Sequence, residues 1–423
     1  MIKRIKIEGY KSFKSLDLKL SPISVIFGPN ASGKSNLLDA IQLLSRMATC
    51  KTLGEAFEGH RGFPLESFYY GDVGFEEMLK KDKLKMSFEV DLELSERIIE
   101  ELKKAPTPLP PGSGQPDNES IGGQIIHRSL RYSAFVEACR PEWEARLKKS
   151  EVAPIDQEGK INTDVEPFWK FPSEYEGQKD AFLFQNGGTK AYQTGSARLP
   201  LGIRGFFPHV VAFILELEQW KTWYPDPKAM REKNHIEYIR QIGPRGEKLA
   251  AFLNVLEHDN PKSFENFNLT LSQALPLDHA RIDIVRDEPG MLSLRLVEDG
   301  ISYPMRLISD GTLRLIGLLA ALDPESPATV ICIEEPENGV HPTRIRLIAE
   351  ILKNAAEYYG KQIIVTTHSP LFAEYFDDEQ LFVCRKEDEQ TTIEPFKPIG
   401  ETYRQHQIER ALQDRIPRGD FGG

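Results

Sequence analysis

The sequence predicts an α/β fold built on a mixed sheet, and three observations carry that expectation. Val330–Ile333 and Ile363–Val365 are short unbroken apolar runs, and Ile23–Phe27 breaks its own only at Ser24. Runs of that length without alternation mark strands covered on both faces, as in a parallel sheet flanked by helices. Lys83–Glu93 instead alternates through Leu84, Met86, Phe88, Val90 and Leu92, the pattern of an antiparallel strand with one wet face.

The run Ile23–Phe27 feeds directly into GPNASGKS, Gly28 to Ser35, and a helical pattern over Asn36–Arg46 follows. Strand, Gly-x-x-x-x-Gly-Lys-Ser loop and helix in that order form a phosphate-binding loop. Gly28 and Gly33 let the backbone curl so that successive N–H groups point inward; Asn30 and Asn36 belong to the same expected contact surface. Lys34 reaches the β- and γ-phosphates, Ser35 offers its hydroxyl to Mg²⁺, and the helix N-terminus adds positive potential. The expectation is a bound nucleoside triphosphate.

Val330–Ile333 ends in Glu334 and Glu335, at the edge where ligands of open α/β sheets sit. One carboxylate can hold the Mg²⁺ shell while the next orients or deprotonates the attacking water. An acidic strand end followed by a proline turn is the plainer alternative. Ile363-Ile-Val-Thr-Thr-His-Ser-Pro370 is another strand ending in polar residues; His368 there either contacts the γ-phosphate or serves only the fold. Ser309-Asp-Gly-Thr-Leu-Arg314 precedes a helical run through Leu313, Ile316, Leu318, Leu319 and Leu322, which puts Ser309 and Gly311 at a helix N-terminus. Free N–H groups there suit a phosphate, and an ordinary N-cap suits the same residues.

In this order the strings GPNASGKS, SDGTLR, EEPENGVHP and TTHSP resemble the Walker A, signature, Walker B with D-loop, and H-switch of ATP-binding-cassette (ABC) ATPases. The resemblance is closest to the soluble branch that includes SMC proteins, RecF and OLD-family ATPases, the AAA_21-type or RecF-like group. The opening IKIEGYKSFKSLDLKLSPISVIFGPN is similar to that branch's first hairpin, and QIGPRGEKLAAFLNVL at 241–256 to a further segment of it. The likeness covers roughly the first 60 residues and 240–375. It implies a P-loop NTPase with an ABC-type head, a mixed sheet with an antiparallel β-subdomain, and a compact inserted lobe. It also implies ATP at Gly28, Asn30, Gly33, Lys34, Ser35 and Asn36, with Mg²⁺ on Ser35 and Glu334 and catalysis by Glu335 with His368. Ser309, Asp310 and Gly311 would contact ATP bound by a second copy, giving a homodimer or a higher assembly. Glu334 departs from the Asp of SMC-type proteins; its longer arm can serve a metal through water.

The expected divisions are 1–100 for the first part of the head, 101–280 for the lobe, 281–395 for the rest of the head, and 396–423 for a C-terminal helix and tail. Ala105–Gly123, rich in Pro, Gly and Ser, reads as an exposed linker. Ser129–Cys139 and Ala181–Gln185 read as strands separated by a polar stretch at 150–177, and 210–260 as mostly helical with breaks near Pro225 and Gly243–Gly246. No long heptad array is present, so the coiled-coil arm of SMC proteins is not expected. Gln124, Gln178, Gln185 and Gln193 are all candidates for the family's Q-loop glutamine.

Four scattered cysteines without metal or redox spacing, a charged N-terminus and no apolar run of membrane length suit a cytoplasmic enzyme. Gly28 and Ser309 lie about 280 positions apart, far more than a transporter cassette holds by resemblance, which leaves a transporter engine as a remote reading.

The net charge of −11 argues against a protein that coats DNA. Locally, Lys221–Lys248 carries seven Lys or Arg against four acids, with Trp220, Trp223, Tyr224 and Tyr238 interleaved or adjacent. Such a stretch is either a surface for double-stranded DNA or an amphipathic surface with core aromatics. About fifty residues follow Ser369, without the acidic blocks of a fused TOPRIM nuclease, so any nuclease or toxic effector is expected on a separate chain. Two function classes follow: a DNA-directed ATPase of repair or foreign-DNA defence, and an ATPase switch that holds or releases an effector protein.

Overall fold

The computed structural model describes residues 1–104, 125–175, 178–186, 189–194, 206–275, 279–398 and 400–412. The expected linker, Gln124 and the tail beyond Leu412 lie outside these residues. The chain forms two compact units and passes between them repeatedly. One contains Met1–Ser21, Ala31–Trp220 and Cys384–Glu394; the other contains Pro22–Asn30, Lys221–Val383 and Pro395–Gly423.

The first unit is built on an eight-stranded sheet. Its order is Phe13–Lys19, Ile2–Tyr10, Lys83–Glu93, Ser129–Cys139, Ala145–Pro154, Trp169–Tyr175, Gln178–Asn186 and Thr189–Thr194, and every neighbouring pair is antiparallel. The opening hairpin pairs Tyr10 with Phe13 across its turn. Leu130, Tyr132, Ala134, Val136 and Ala138 alternate inward along their strand, so one face is buried. Helix Pro208–Glu218 covers part of that face: Phe213 meets the rings of Tyr132 and Trp169 edge-on at 5.2 and 5.8 Å. Helix Lys34–Thr49 lies beside it, and the Ser45 hydroxyl donates to the Leu217 carbonyl at 2.7 Å.

The second unit is built on a sheet ordered Trp220–Trp223, Val330–Glu334, Gln362–Thr367, Ile23–Phe27, Leu381–Glu387 and Gln390–Pro395. The last two strands carry the chain into the first unit and back. Pairing is parallel from Val330–Glu334 to Leu381–Val383, with Ile331 opposite Ile363, Ile363 opposite Ile23, and Val25 opposite Leu381. Ile23 to Phe27 and Gln362 to Thr367 are buried throughout, which is why neither run alternates. Helices Leu249–Asp259, Pro261–Ala274, Asp310–Leu322 and Ile345–Tyr358 share one apolar core with these strands. A smaller antiparallel sheet pairs Met291–Glu298 with Arg281–Glu288, Asn234–His235 and Ile301–Pro304.

Elements on either side of the expected boundaries at 100 and 280 pack together. Lys83–Glu93 and Ser129–Cys139 are neighbours in one sheet, and residues 221–280 pack in the unit that holds the parallel strands. Two strands, Ala145–Pro154 and Trp169–Tyr175, reach into the two ends of the stretch expected to be a polar connection. Arg146, Lys148 and Lys149 are exposed, so the first of these strands shows little apolar pattern. The break expected near Gly243–Gly246 lies between elements, whereas residues 231–242, expected to be helical, contain only the short strand Asn234–His235 among regular elements.

Candidate functional site

The three parallel strands Val330–Glu334, Gln362–Thr367 and Ile23–Phe27 end at one edge of their sheet. There the Gly28 N–H donates to the Thr367 carbonyl at 3.4 Å, and the Glu335 N–H donates to the Thr366 carbonyl at 2.9 Å. The start of the phosphate loop, the Glu334-Glu335 pair and His368 therefore emerge side by side.

Glu335 has φ +46°, a left-handed conformation costly for a residue with a Cβ. Several bonds hold it there. Its Oε1 lies 2.9 Å from His368 Nδ1, its Oε2 accepts from the Asn338 amide at 2.8 Å, and its carbonyl accepts the Asn338 N–H at 3.0 Å. Glu335 and His368 are half-buried, so the pair is reachable from solvent. A carboxylate fixed by an imidazole and an amide, and open to water, is suited to accept a proton.

Glu337 and Thr367 carried no assignment in the sequence. Glu337 is 7% exposed and Thr367 is fully buried, and the Thr367 hydroxyl donates to Glu337 Oε1. Burial pushes the Glu337 carboxyl above its ordinary range, against the Thr367 hydrogen bond. The motif spelled Glu-Glu-Pro-Glu, but only its fold-back onto Thr367 reveals what the third acid touches.

After Asn30 the chain enters the first unit, within the phosphate loop itself. Ala31 has φ +61° and Gly33 φ +99°. A Cβ on Gly33 would sit 2.2 Å from Thr391 Oγ1 and 2.8 Å from Ser12 Oγ, so only glycine fits. The Thr391 hydroxyl donates to the Ser32 carbonyl at 2.7 Å, and the Asn36 amide donates to Ser12 Oγ at 2.7 Å. Asn36 thus braces the loop from behind. Helix Lys34–Thr49 opens at the left-handed Gly33 without a side-chain cap, and the Asn36 N–H turns back to the Gly33 carbonyl at 3.0 Å. Lys34 is buried, while Ser35 is half-buried and Asn30 exposed.

Mg²⁺ takes one or two hard oxygen ligands from protein and completes its shell with phosphates and water. The Ser35 hydroxyl and the half-buried Glu334 carboxylate are that kind of donor. Among the described residues no cluster of three or more His, Cys, Asp or Glu forms an all-protein metal cage. Each of these donors, taken by itself, is of the kind a magnesium ion arriving with a triphosphate takes.

Ser309 caps helix Asp310–Leu322: its Oγ accepts the Thr312 N–H at 3.2 Å. Ser309 and Asp310 remain exposed, and Leu307 just before them is 67% exposed. Gly311 is set by a close approach, since a Cβ there would lie 2.6 Å from the Gly339 carbonyl oxygen. Arg314, one turn on, donates to the Asn338 carbonyl at 2.8 Å, tying this helix to the turn that orients Glu335.

The basic stretch is largely engaged within the protein. Arg231 pairs with Asp310 at 2.6 Å and donates to the Ile308 carbonyl at 2.8 Å; Lys233 pairs with Glu288 at 2.7 Å. Arg245 and Lys248 pair with Asp226 and Glu237. Trp220 and Trp223 are core residues; Tyr238 is exposed and bonds Asp259. Among the glutamines, Gln185 is buried and donates to the Pro167 carbonyl. Burial pushes the Cys332 thiol up to about 12 and the Cys384 thiol up to about 11, so neither is a reactive thiolate. No helix of the described residues is long and apolar enough to cross a membrane.

Residues 127–374 match the family model described as "AAA domain, putative AbiEii toxin, Type IV TA system", and residues 4–107 match a second AAA-domain model. The chain is 22% identical over 413 residues to an ATP/GTP phosphatase of Helicobacter pylori, covering 93% of this chain and 94% of the relative. It is 22% identical over 404 residues to an OLD nuclease of Thermus scotoductus, covering 93% of this chain and 63% of that protein. Among solved structures, an SMC head bound to the C-winged helix domain of ScpA aligns with 93% of this chain and 97% of its own, with a TM-score of 0.53 at 12% identity. A Pyrococcus furiosus SMC head with an extended coiled coil gives the same TM-score at 11% identity, over 97% of this chain and 99% of its own. The structural likeness concerns the fold.

Proposed function

This chain belongs to the AAA-domain family whose model spans residues 127–374, and from that membership we propose that it is a switch whose two conformations are set by ATP binding and hydrolysis between two copies. It is an ATPase of the SMC, RecF and OLD type, converting ATP and water to ADP and phosphate. The observation that carries the reading is the Glu335–His368 pair, fixed at the ends of neighbouring parallel strands beside Gly28.

Gly28, Asn30, Gly33 and Lys34 bind the phosphates, Asn36 braces the loop, and Ser35 and Glu334 hold Mg²⁺. When bound, Mg²⁺ and the triphosphate supply the reacting anhydride and neutralise its charge. Glu335 takes the proton of the attacking water, while His368, with Nδ1 turned to Glu335, has Nε2 left for the γ-phosphate. The exposed Ser309 and Asp310 and the half-buried Gly311 complete the site of a second copy, head to tail, with Leu307 covered at the contact. Release of phosphate then weakens the pairing.

The relative named OLD nuclease favours a DNA-related process, in repair or defence, that involves a nuclease or another effector. A second reading, a switch for an effector protein without direct DNA contact, is favoured by the internal pairing of Arg231, Lys233, Arg245 and Lys248.

Glu335→Gln tests the hydrolytic assignment. The variant is expected to bind ATP as tightly as the parent, to lose turnover at least about 100-fold, and to accumulate as a dimer in sedimentation with ATP. Normal turnover by this variant would remove Glu335 from the reaction. Adding linear duplex DNA to the parent separates the two readings: stimulation supports the first, indifference the second.

A further inference from the structure

Two side-chain hydrogen bonds join the turn after Val330–Glu334 to the end of Gln362–Thr367. The first is Glu335 to His368; the second runs from the Thr367 hydroxyl to Glu337. Only the first involves groups suited to reaction. Glu337 is 7% exposed, and its Oε2 has no hydrogen-bond partner among the described residues. Burying a carboxyl with half its hydrogen-bonding capacity unused is unfavourable, and an apolar side chain would fill the space at less cost. A group retained under that penalty has a use, and here its one partner identifies it. Thr367 directly precedes His368, its Oγ1 also accepts the Ser369 N–H at 2.9 Å, and its carbonyl takes the Gly28 N–H. Glu337 thus grips the residue at which the histidine strand and the start of the phosphate loop meet. Pro336 stiffens the two-residue link from Glu337 back to Glu335.

We propose that Glu337 is a positioning residue for the hydrolytic pair: by accepting the Thr367 hydroxyl it holds the turn bearing Glu335 and the strand end bearing His368 in one register. This rests on the hydrolytic assignment of Glu335 above. The clamp requires an acceptor at Glu337 and does not require a charge there, so glutamine replaces it and alanine does not. It acts on the geometry of the pair rather than on nucleotide affinity, so its loss lowers kcat and leaves binding intact.

The test compares Glu337→Ala, Glu337→Gln, Thr367→Val and the Glu337→Ala/Thr367→Val double variant, each as the full chain. Glu337→Ala and Thr367→Val are expected to lower kcat about 10- to 100-fold with the dissociation constant for ATP changed less than about twofold. Glu337→Gln should stay within about threefold of the parent, and the double variant should be no worse than either single one, because both remove the same bond. Hydrogen exchange without nucleotide supplies a readout independent of turnover. The Glu335 and Ser369 amides should exchange about tenfold faster in Glu337→Ala and at the parental rate in Glu337→Gln. Thr367→Val carries the same test if Glu337→Ala does not fold. Equal damage in Glu337→Gln and Glu337→Ala would overturn the proposal, as would parental turnover in Glu337→Ala. If Glu335→Gln hydrolyses ATP normally, the reading of the pair fails, and the exchange data still decide whether the clamp exists.

Discussion

Glu335 and Gly311 are held by their neighbours in conformations or contacts that few side chains tolerate. Glu335 keeps a left-handed φ through bonds to Thr366, His368 and Asn338, and Asn338 is in turn held by Arg314 from the helix that Gly311 opens. Gly311→Ala would drive its Cβ into the Gly339 carbonyl, an atom of backbone that cannot swing aside. We expect this variant to lose about 1–3 kcal/mol of stability and at least about tenfold in turnover, read by thermal unfolding and steady-state hydrolysis. Parental behaviour in both would mean that the helix and the turn are not packed as described. The phosphate loop was legible in the sequence because its function is local: glycines, lysine and serine act at fixed offsets. Glu335 and His368 were legible as strand-end residues, but their mutual bond joins segments 33 positions apart. Glu337 was not legible, since its role exists only where Thr367 folds against it.

Helix Pro208–Glu218 shows how an element can carry a pH response without taking part in the chemistry. Its His209 ring is buried, stacks on Phe168 at 4.1 Å and accepts the His127 backbone N–H at 3.2 Å. Burial, with a smaller effect of His127, depresses His209 to about 4. A histidine whose folded value lies below its unfolded value of about 6.5 stabilises as the neutral ring. That stability is complete above about pH 6.5 and is lost as pH falls through about 4, a change on the order of 2–3 kcal/mol. Thermal unfolding of the parent should therefore be flat above neutrality and fall across that window, and His209→Gln should flatten part of the fall. An unchanged profile in His209→Gln would assign the acid response elsewhere. At this scale the apolar runs and the alternating Lys83–Glu93 were readable directly. Ala145–Pro154 was not, because its outward residues are charged and its few buried ones cluster at one end.

Along the sequence, Gly28–Asn30 belong to one compact unit and Ala31–Ser35 to the other. Within one copy Ser309 caps its helix and Asp310 pairs with Arg231; the central claim is that these exposed residues, with Leu307 beside them, also finish the site of a second copy. The most direct measurement mixes two disabled variants. Lys34→Ala keeps its Ser309 surface but cannot bind phosphate, and Ser309→Arg keeps its loop but cannot complete a partner. Each alone should be inactive, and an equal mixture should regain about a quarter of the parental rate, because half the dimers are mixed and each holds one intact site of two. A mixture no more active than its components, or a fully active Ser309→Arg variant alone, would contradict the shared site.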